Sequence, residues 1–123
     1  MLDSAPLIAF ISASNAERAR RFFRDVLLLK LKSESPFALE FDCAGTMLRV
    51  TLVDEIVTAP YTVLGWQVAD IARTVGDLAE AGVGLEKFEG MVQTDDGIWT
   101  TPSGAKVAWF KDPDGNLLSV SEF

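Results

Sequence analysis

The chain has 123 residues, of which 49% are hydrophobic and 24% are charged, so a globular domain is expected and a disordered or low-complexity segment is not. Its 11 Lys and Arg against 18 Asp and Glu give a net charge of −7, which argues against a surface that binds nucleic acid. No apolar run approaches the ~20 residues of a membrane span and no signal peptide opens the chain, so we expect a cytoplasmic protein without a membrane partner.

The first half of the chain predicts one helix among four strands. Ser14 or Asn15 is placed to cap a helix over residues 15–27, in which apolar residues recur with helical spacing. Apolar runs and alternating apolar and polar residues predict the strands. These strands cover residues 7–11, 29–33, 37–42 and 47–53. A turn at Ala44–Gly45 joins the last two strands.

The second half repeats this order after a linker at residues 54–60. Asp70 is placed to cap a helix that ends near Gly82, because glycine is favoured just past a helix C-terminus. The predicted strands cover residues 61–68, 85–88, 105–111 and 117–123, with a short extended stretch at 98–100. The segment Asp112–Asn116, with its Pro, Asp and Gly, predicts a tight turn before the last strand.

A βαβββ unit therefore occurs twice, and residues 41–50 align with residues 111–120 around the two hairpin turns. With the helix that ends in Phe22–Leu27 and the Asp112–Asn116 turn, this repeat resembles the vicinal oxygen chelate superfamily. That superfamily contains glyoxalase I, extradiol dioxygenases, fosfomycin-resistance enzymes and bleomycin-resistance proteins. The resemblance covers essentially the whole chain.

The resemblance implies an α+β fold in a single domain, residues 1–123, with modules at about 5–54 and 61–123. The two βαβββ modules are expected to form a curled eight-stranded mixed sheet with the helices outside. A ligand is expected in the cup of the sheet. The resemblance also implies a homodimer.

The metal-dependent members of this superfamily hold their metal on the first and last strands of each module. Counted from the helix caps and the turn glycines, these positions hold Ile8, Arg49, Val63 and Ser119. Such side chains are not the imidazole, carboxylate or thiolate ligands that divalent metals prefer. The chain also has no histidine, so mechanisms that need a histidine base or ligand are excluded. We predict no metal, no cofactor and no catalytic residue, although a two-residue shift in register would bring in Glu55 or Glu122.

The lining of the cup is expected to be apolar with a few polar groups, as suits an organic ligand oriented by hydrogen bonds. The candidate ligand-binding residues are Phe10, Met47, Arg49, Gln67, Trp99, Ser119 and Ser121. Trp99 lies in a loop-rich stretch and is expected to stack on a planar ligand. Trp66 and Trp109 are expected to pack in the core between sheet and helix.

Arg49 has two possible roles. Its guanidinium group is suited to hold a carboxylate or phosphate of a ligand through two parallel hydrogen bonds. Alternatively, it forms an internal ion pair with Glu40, which lies directly opposite if Ala44–Gly45 is a two-residue turn. With a three-residue turn, Arg49 faces Leu39 instead.

The expected function is the metal-independent binding of a small organic molecule. Bleomycin-resistance proteins, which this chain resembles in being small and acidic, bind cationic drugs in grooves of a homodimer without a metal. Two alternatives remain. The first is a metal-dependent glyoxalase- or dioxygenase-type enzyme whose ligands lie elsewhere in the chain. The second is a structural dimer that binds no ligand.

Overall fold

A computed structural model describes the whole chain, Met1–Phe123, as two compact units, residues 1–57 and residues 58–123. Each unit contains one βαβββ module, as predicted. Its four strands form a mixed sheet, so the eight strands are arranged as two four-stranded sheets. No helix has the length and apolar composition needed to cross a membrane.

The first unit has its strands in the order β1-β4-β3-β2. Its strands are β1 (Ile8–Ala13), β2 (Lys30–Glu34), β3 (Ala38–Cys43) and β4 (Thr46–Leu52). β1 runs parallel to β4, and the other neighbours are antiparallel. The parallel pair needs a crossover connection, which the helical segment between β1 and β2 begins.

The helical segment of the first unit changes its winding halfway. Asn15 caps α1 (Ala16–Arg20), with its side-chain Oδ1 accepting a hydrogen bond from the Arg18 backbone N–H at 2.9 Å. Residues Arg21–Val26 then continue as a π-helix. Its end is closed by Leu28, whose φ of 61° places it in the left-handed region. The predicted helix is therefore confirmed in position but not in uniform winding.

The second unit repeats the sheet order as β5-β8-β7-β6. Its strands are β5 (Leu64–Gln67), β6 (Trp99–Thr100), β7 (Lys106–Lys111) and β8 (Leu117–Glu122), and its helix is α2 (Ile71–Glu80). Asp70 caps α2, since its Oδ1 accepts from the Arg73 backbone N–H at 3.1 Å. β5 is parallel to β8 and shorter than the predicted strand at 61–68.

The predicted strand at 85–88 is wrong. Within that segment only Leu85 forms a bridge, to Phe110, and the outer strand of the sheet is β6 instead. The Glu86 N–H donates to the Trp109 carbonyl of β7 at 2.8 Å, but the pairing with β7 goes no further. The Gln93 side chain accepts from the Phe88 N–H at 2.8 Å and donates to the Glu86 carbonyl at 3.1 Å. These two side-chain bonds take the place of the further ladder bonds that a strand would make.

Each sheet packs one face against its own helix. In the first unit Phe23, buried in the π-helix, contacts Phe41 of β3 with ring centroids 5.9 Å apart. In the second unit the apolar stripe of α2, Ile71, Val75 and Leu78, is buried on the side of Phe110 and Leu118. Burial of such side chains supplies most of the stability of a small domain.

Candidate functional site

The face of the first sheet that points away from its helix is open and partly apolar. Strand alternation brings Phe10 and Arg49 into one row and Ile8 and Met47 into the next. Phe10 is 60% exposed, and Ile8 and Met47 are also exposed. The three candidates of this half, Phe10, Met47 and Arg49, therefore share one surface.

Arg49 forms the internal ion pair that was one of its two predicted roles. Glu40 lies directly opposite because Ala44–Gly45 is a two-residue turn. Arg49 Nη1 donates to Glu40 Oε2 at 2.9 Å, and Ser33 Oγ donates to the other carboxylate oxygen at 2.6 Å. Both hydrogen bonds lower the pKa of Glu40, and the one from Ser33 has the larger effect. Only one of the five guanidinium N–H donors is used here, so others remain available to a ligand.

The open face of the second sheet carries two rows of side chains. Gly65, Ser119 and Trp109 form the first row. Gln67, Ser121, Val107 and Trp99 form the second row. Every candidate predicted in this half, Gln67, Trp99, Ser119 and Ser121, therefore lies on the same face of the sheet.

Ser119 differs from the other candidates because it is only 8% exposed. A Cβ built on Gly65 would lie 2.7 Å from Ser119 Oγ, a distance that real Cβ atoms essentially never show to a neighbouring atom. The hydroxyl therefore fills the space that glycine leaves, and Ser119 serves packing. Gln67 and Ser121 are the more accessible polar groups of this face.

An aromatic cluster lies at the β6–β7 side of this face. The rings of Trp99 and Trp109 have centroids 6.2 Å apart, and the Phe88 ring meets Trp109 edge-on at 5.3 Å. Trp109 Nε1 also donates to Thr62 Oγ1 at 3.1 Å. We call Phe88, Trp99 and Trp109 the aromatic platform.

The platform corrects one sequence prediction and confirms another. Trp109 was expected in the core, but it lies on the open face because it is paired with Ser119. The hairpin alignment contained this signal, since a turn at 112–116 sets residue 109 opposite residue 119. Trp66 does pack on the helix side, stacked on Phe110 with centroids 6.3 Å apart. Phe88 was missed because its segment was predicted to be a strand.

Two grooves lie beside these open faces. One, of about 420 Å³, is lined mainly by polar residues of β2 and β3 together with Met47. The other, of about 370 Å³, is lined by residues 88–92 and Trp99. The second groove is the more suitable for an organic ring, because aromatic and apolar side chains form most of its wall.

The four family metal positions do not fit a divalent metal. Arg49 is paired and cationic, Ile8 and Val63 offer no donor atom, and Ser119 is packed against Gly65. No group of three or more His, Cys, Asp or Glu side chains is placed to hold an ion. A two-residue shift in register would not supply a metal site either. Glu122 Oε1 accepts from the Ile71 N–H at 3.0 Å on the helix side, and Glu55 lies beyond the end of β4 and in no cluster of possible ligands.

Known proteins share this fold. A glyoxalase family protein from Enterococcus faecalis superposes with a TM-score of 0.77 at 21% identity, over 99% of this chain and all of that one. Lactoylglutathione lyase from Agrobacterium tumefaciens gives 0.75 at 19% identity, over 97% and 93% of the two chains. The fosfomycin resistance protein FosX from Listeria monocytogenes gives 0.73 at 13% identity, over 98% and 93%.

A search of curated proteins found no match. The family model described as Glyoxalase/Bleomycin resistance protein/Dioxygenase superfamily, in contrast, matches residues 7–120. That span includes both βαβββ modules and both hairpin turns. The chain therefore belongs to the glyoxalase/bleomycin resistance protein/dioxygenase superfamily.

Proposed function

We propose that this chain is a metal-independent member of the superfamily that binds a small organic molecule on its open sheet surface. The observation that carries the proposal is the aromatic platform. Trp99 and Trp109 present half-buried rings on a sheet face that also offers Gln67 and Ser121. Rings supply contact area, and a few polar groups fix the orientation of a ligand.

The donor chemistry supports the metal-independent part of the proposal. Two aliphatic side chains, a paired guanidinium and a packed hydroxyl stand where the metal-dependent members of the superfamily hold their ions. Arg49 would also repel a cation placed beside it. The three solved structures named above are each less than 25% identical to this chain, so their reactions are not transferred to it.

Native mass spectrometry with elemental analysis, followed by thermal-shift screening of aromatic compounds, tests this function. We expect a homodimer without a stoichiometric transition metal, and aromatic compounds that raise the melting temperature equally with and without a chelator. Trp99→Ala should weaken their binding while the apo protein keeps its fold. A stoichiometric metal whose removal abolishes binding would contradict the proposal and favour a metal-dependent enzyme.

A further inference from the structure

We propose that the groove between Trp99 and residues 88–92 takes a planar organic cation, and that Gln93 is the residue that holds this groove in shape. The inference rests on the proposed function, because Phe88 and Trp99 of the aromatic platform line this groove, for which it names a ligand class and a positioning residue. It is carried by the hydrogen bonds of Gln93 and by the composition of the groove wall.

Gln93 ties together three separate backbone positions of the 86–97 loop. Its Oε1 accepts from the Phe88 N–H at 2.8 Å. Its Nε2 donates to the carbonyl oxygens of Glu86 at 3.1 Å and of Gly97 at 2.8 Å. One amide side chain therefore uses its acceptor and both donors to fix the loop from inside.

The same residue sets the position of the aromatic platform. The bond to Phe88 fixes the backbone that carries the ring facing Trp109. The backbone of Gln93 also bridges to Trp99. Loss of the side-chain amide should therefore move Phe88 relative to both tryptophans, although Gln93 itself does not line the groove.

The wall of the groove selects the charge of the ligand. Phe88, Met91, Val92 and Trp99 give it an apolar and aromatic surface, and Glu89 is its one charged side chain. An aromatic ring attracts a cation through its negative face, and a nearby carboxylate adds to that attraction. The same carboxylate repels an anion. The chemistry therefore favours a planar cation over an anion of the same ring system.

The test compares three probes by calorimetric titration: naphthyltrimethylammonium, naphthalenesulfonate and cyclohexyltrimethylammonium. For the natural sequence we expect the naphthyl cation to bind most tightly. Glu89→Gln should reduce the preference for the cation over the anion by about threefold. A preference for naphthalenesulfonate in the natural sequence, or an unchanged preference in Glu89→Gln, would overturn the assigned ligand class.

The role of Gln93 is tested with Gln93→Leu, Gln93→Glu and the control Thr94→Val. Thr94 bonds within the same loop, where its Oγ1 accepts from the Ile98 N–H at 2.9 Å. Gln93→Leu removes all three loop bonds, whereas the carboxylate of Gln93→Glu still accepts from Phe88. We expect Gln93→Leu to weaken binding of the naphthyl cation roughly fivefold, Gln93→Glu to weaken it less and Thr94→Val to leave it unchanged.

Circular dichroism supplies a readout that general loss of stability would not change. The rings of Trp99 and Trp109 are close enough for their electronic transitions to couple, which gives an exciton couplet in the circular dichroism spectrum. A change in the geometry of the two rings alters this couplet. We expect the couplet to change in Gln93→Leu and to persist in Thr94→Val. If Gln93→Leu and Thr94→Val change the couplet and the affinity equally, Gln93 does not position the aromatic platform and only stabilises the loop. If Trp99→Ala also leaves every probe unaffected, the proposed function itself fails.

Discussion

Arg49 and Glu40 face each other across the β3–β4 hairpin, and their 2.9 Å contact occupies the open face of the first sheet. The pair places one positive and one negative charge beside the exposed rings and methyl groups of Phe10, Ile8 and Met47. Glu40 thus orients the guanidinium group of Arg49, which keeps N–H donors that this contact does not use.

Glu40 should make the stability of the protein depend on pH in the acid range. Hydrogen bonds from Ser33 and Arg49 lower its pKa in the folded state, so its stabilising contribution is present above the unfolded-state pKa. That contribution is lost as the pH falls through the folded-state pKa. The free energy of unfolding of Glu40→Gln, measured by denaturant titration, should therefore fall less steeply than that of the natural protein as the pH is lowered. A pH dependence that is the same in Glu40→Gln as in the natural protein would contradict this prediction.

Asp112 should show the opposite sign. Burial raises its pKa, against the hydrogen bonds that it accepts from Asn116 and Asp114. Its contribution is therefore complete below the unfolded-state pKa and declines as the pH rises through the folded-state pKa. The free energy of unfolding of Asp112→Asn should therefore rise relative to that of the natural protein as the pH is raised from acid to neutral.

The loss of the whole side chain at this position should be costly. Asp112→Ala removes the carboxylate that accepts from the buried Asn116 amide and from two backbone N–H groups, so we expect a loss of about 1–3 kcal/mol in the free energy of unfolding. Denaturant titration at neutral pH measures it. An Ala variant as stable as the Asn variant would show that the turn does not depend on these bonds.

Gly65 should not tolerate a side chain. A Cβ there would meet Ser119 Oγ at 2.7 Å and the Ser119 carbonyl oxygen at 3.3 Å. Gly65→Ala should therefore lower the free energy of unfolding by about 1–3 kcal/mol, as expected for overpacking. Adding Ser119→Ala removes the hydroxyl and should recover part of that loss. A strictly additive double variant would show that the two sites do not interact.

Ala44 offers a stabilising change. It has a φ of 49° in the two-residue turn before Gly45, a conformation that is unfavourable for alanine and favourable for asparagine. Ala44→Asn should raise the free energy of unfolding by about 1 kcal/mol. Ala44→Val, which is β-branched, should lower it. Thermal denaturation of the two variants against the natural protein provides the measurement.

The sequence predicted the fold well because its signals are local and repeated. Asn15 and Asp70 bond as caps, and the turn at Ala44–Gly45 sets the pairing of Arg49 with Glu40. Alternation within each strand then fixes which side chains share a face. Elements with these strong signals were predicted to within a few residues.

The prediction from sequence was wrong where the hydrogen bonds of a side chain determine the course of the backbone. Residues 85–88 begin beside β7, where Leu85 bridges to Phe110, but the Gln93 side chain then binds the Glu86 carbonyl and the Phe88 N–H, so no strand continues. Phe88 could therefore not be placed beside Trp109 from periodicity alone. The burial of Ser119 depends on the missing side chain of Gly65, a contact between two strands that local patterns do not contain.

The parallel pairing of β1 with β4 also governs how the chain folds. Ile8 meets Met47, so the first strand finds its neighbour only after the rest of the module has been made. During synthesis β1 emerges before β4, so we expect Ile11 and Ala13, which the folded sheet buries, to stay uncovered until β4 has been made. Closing so long a loop is slow compared with forming a hairpin. We therefore expect the β3–β4 hairpin to form first and β1 to dock onto its edge afterwards.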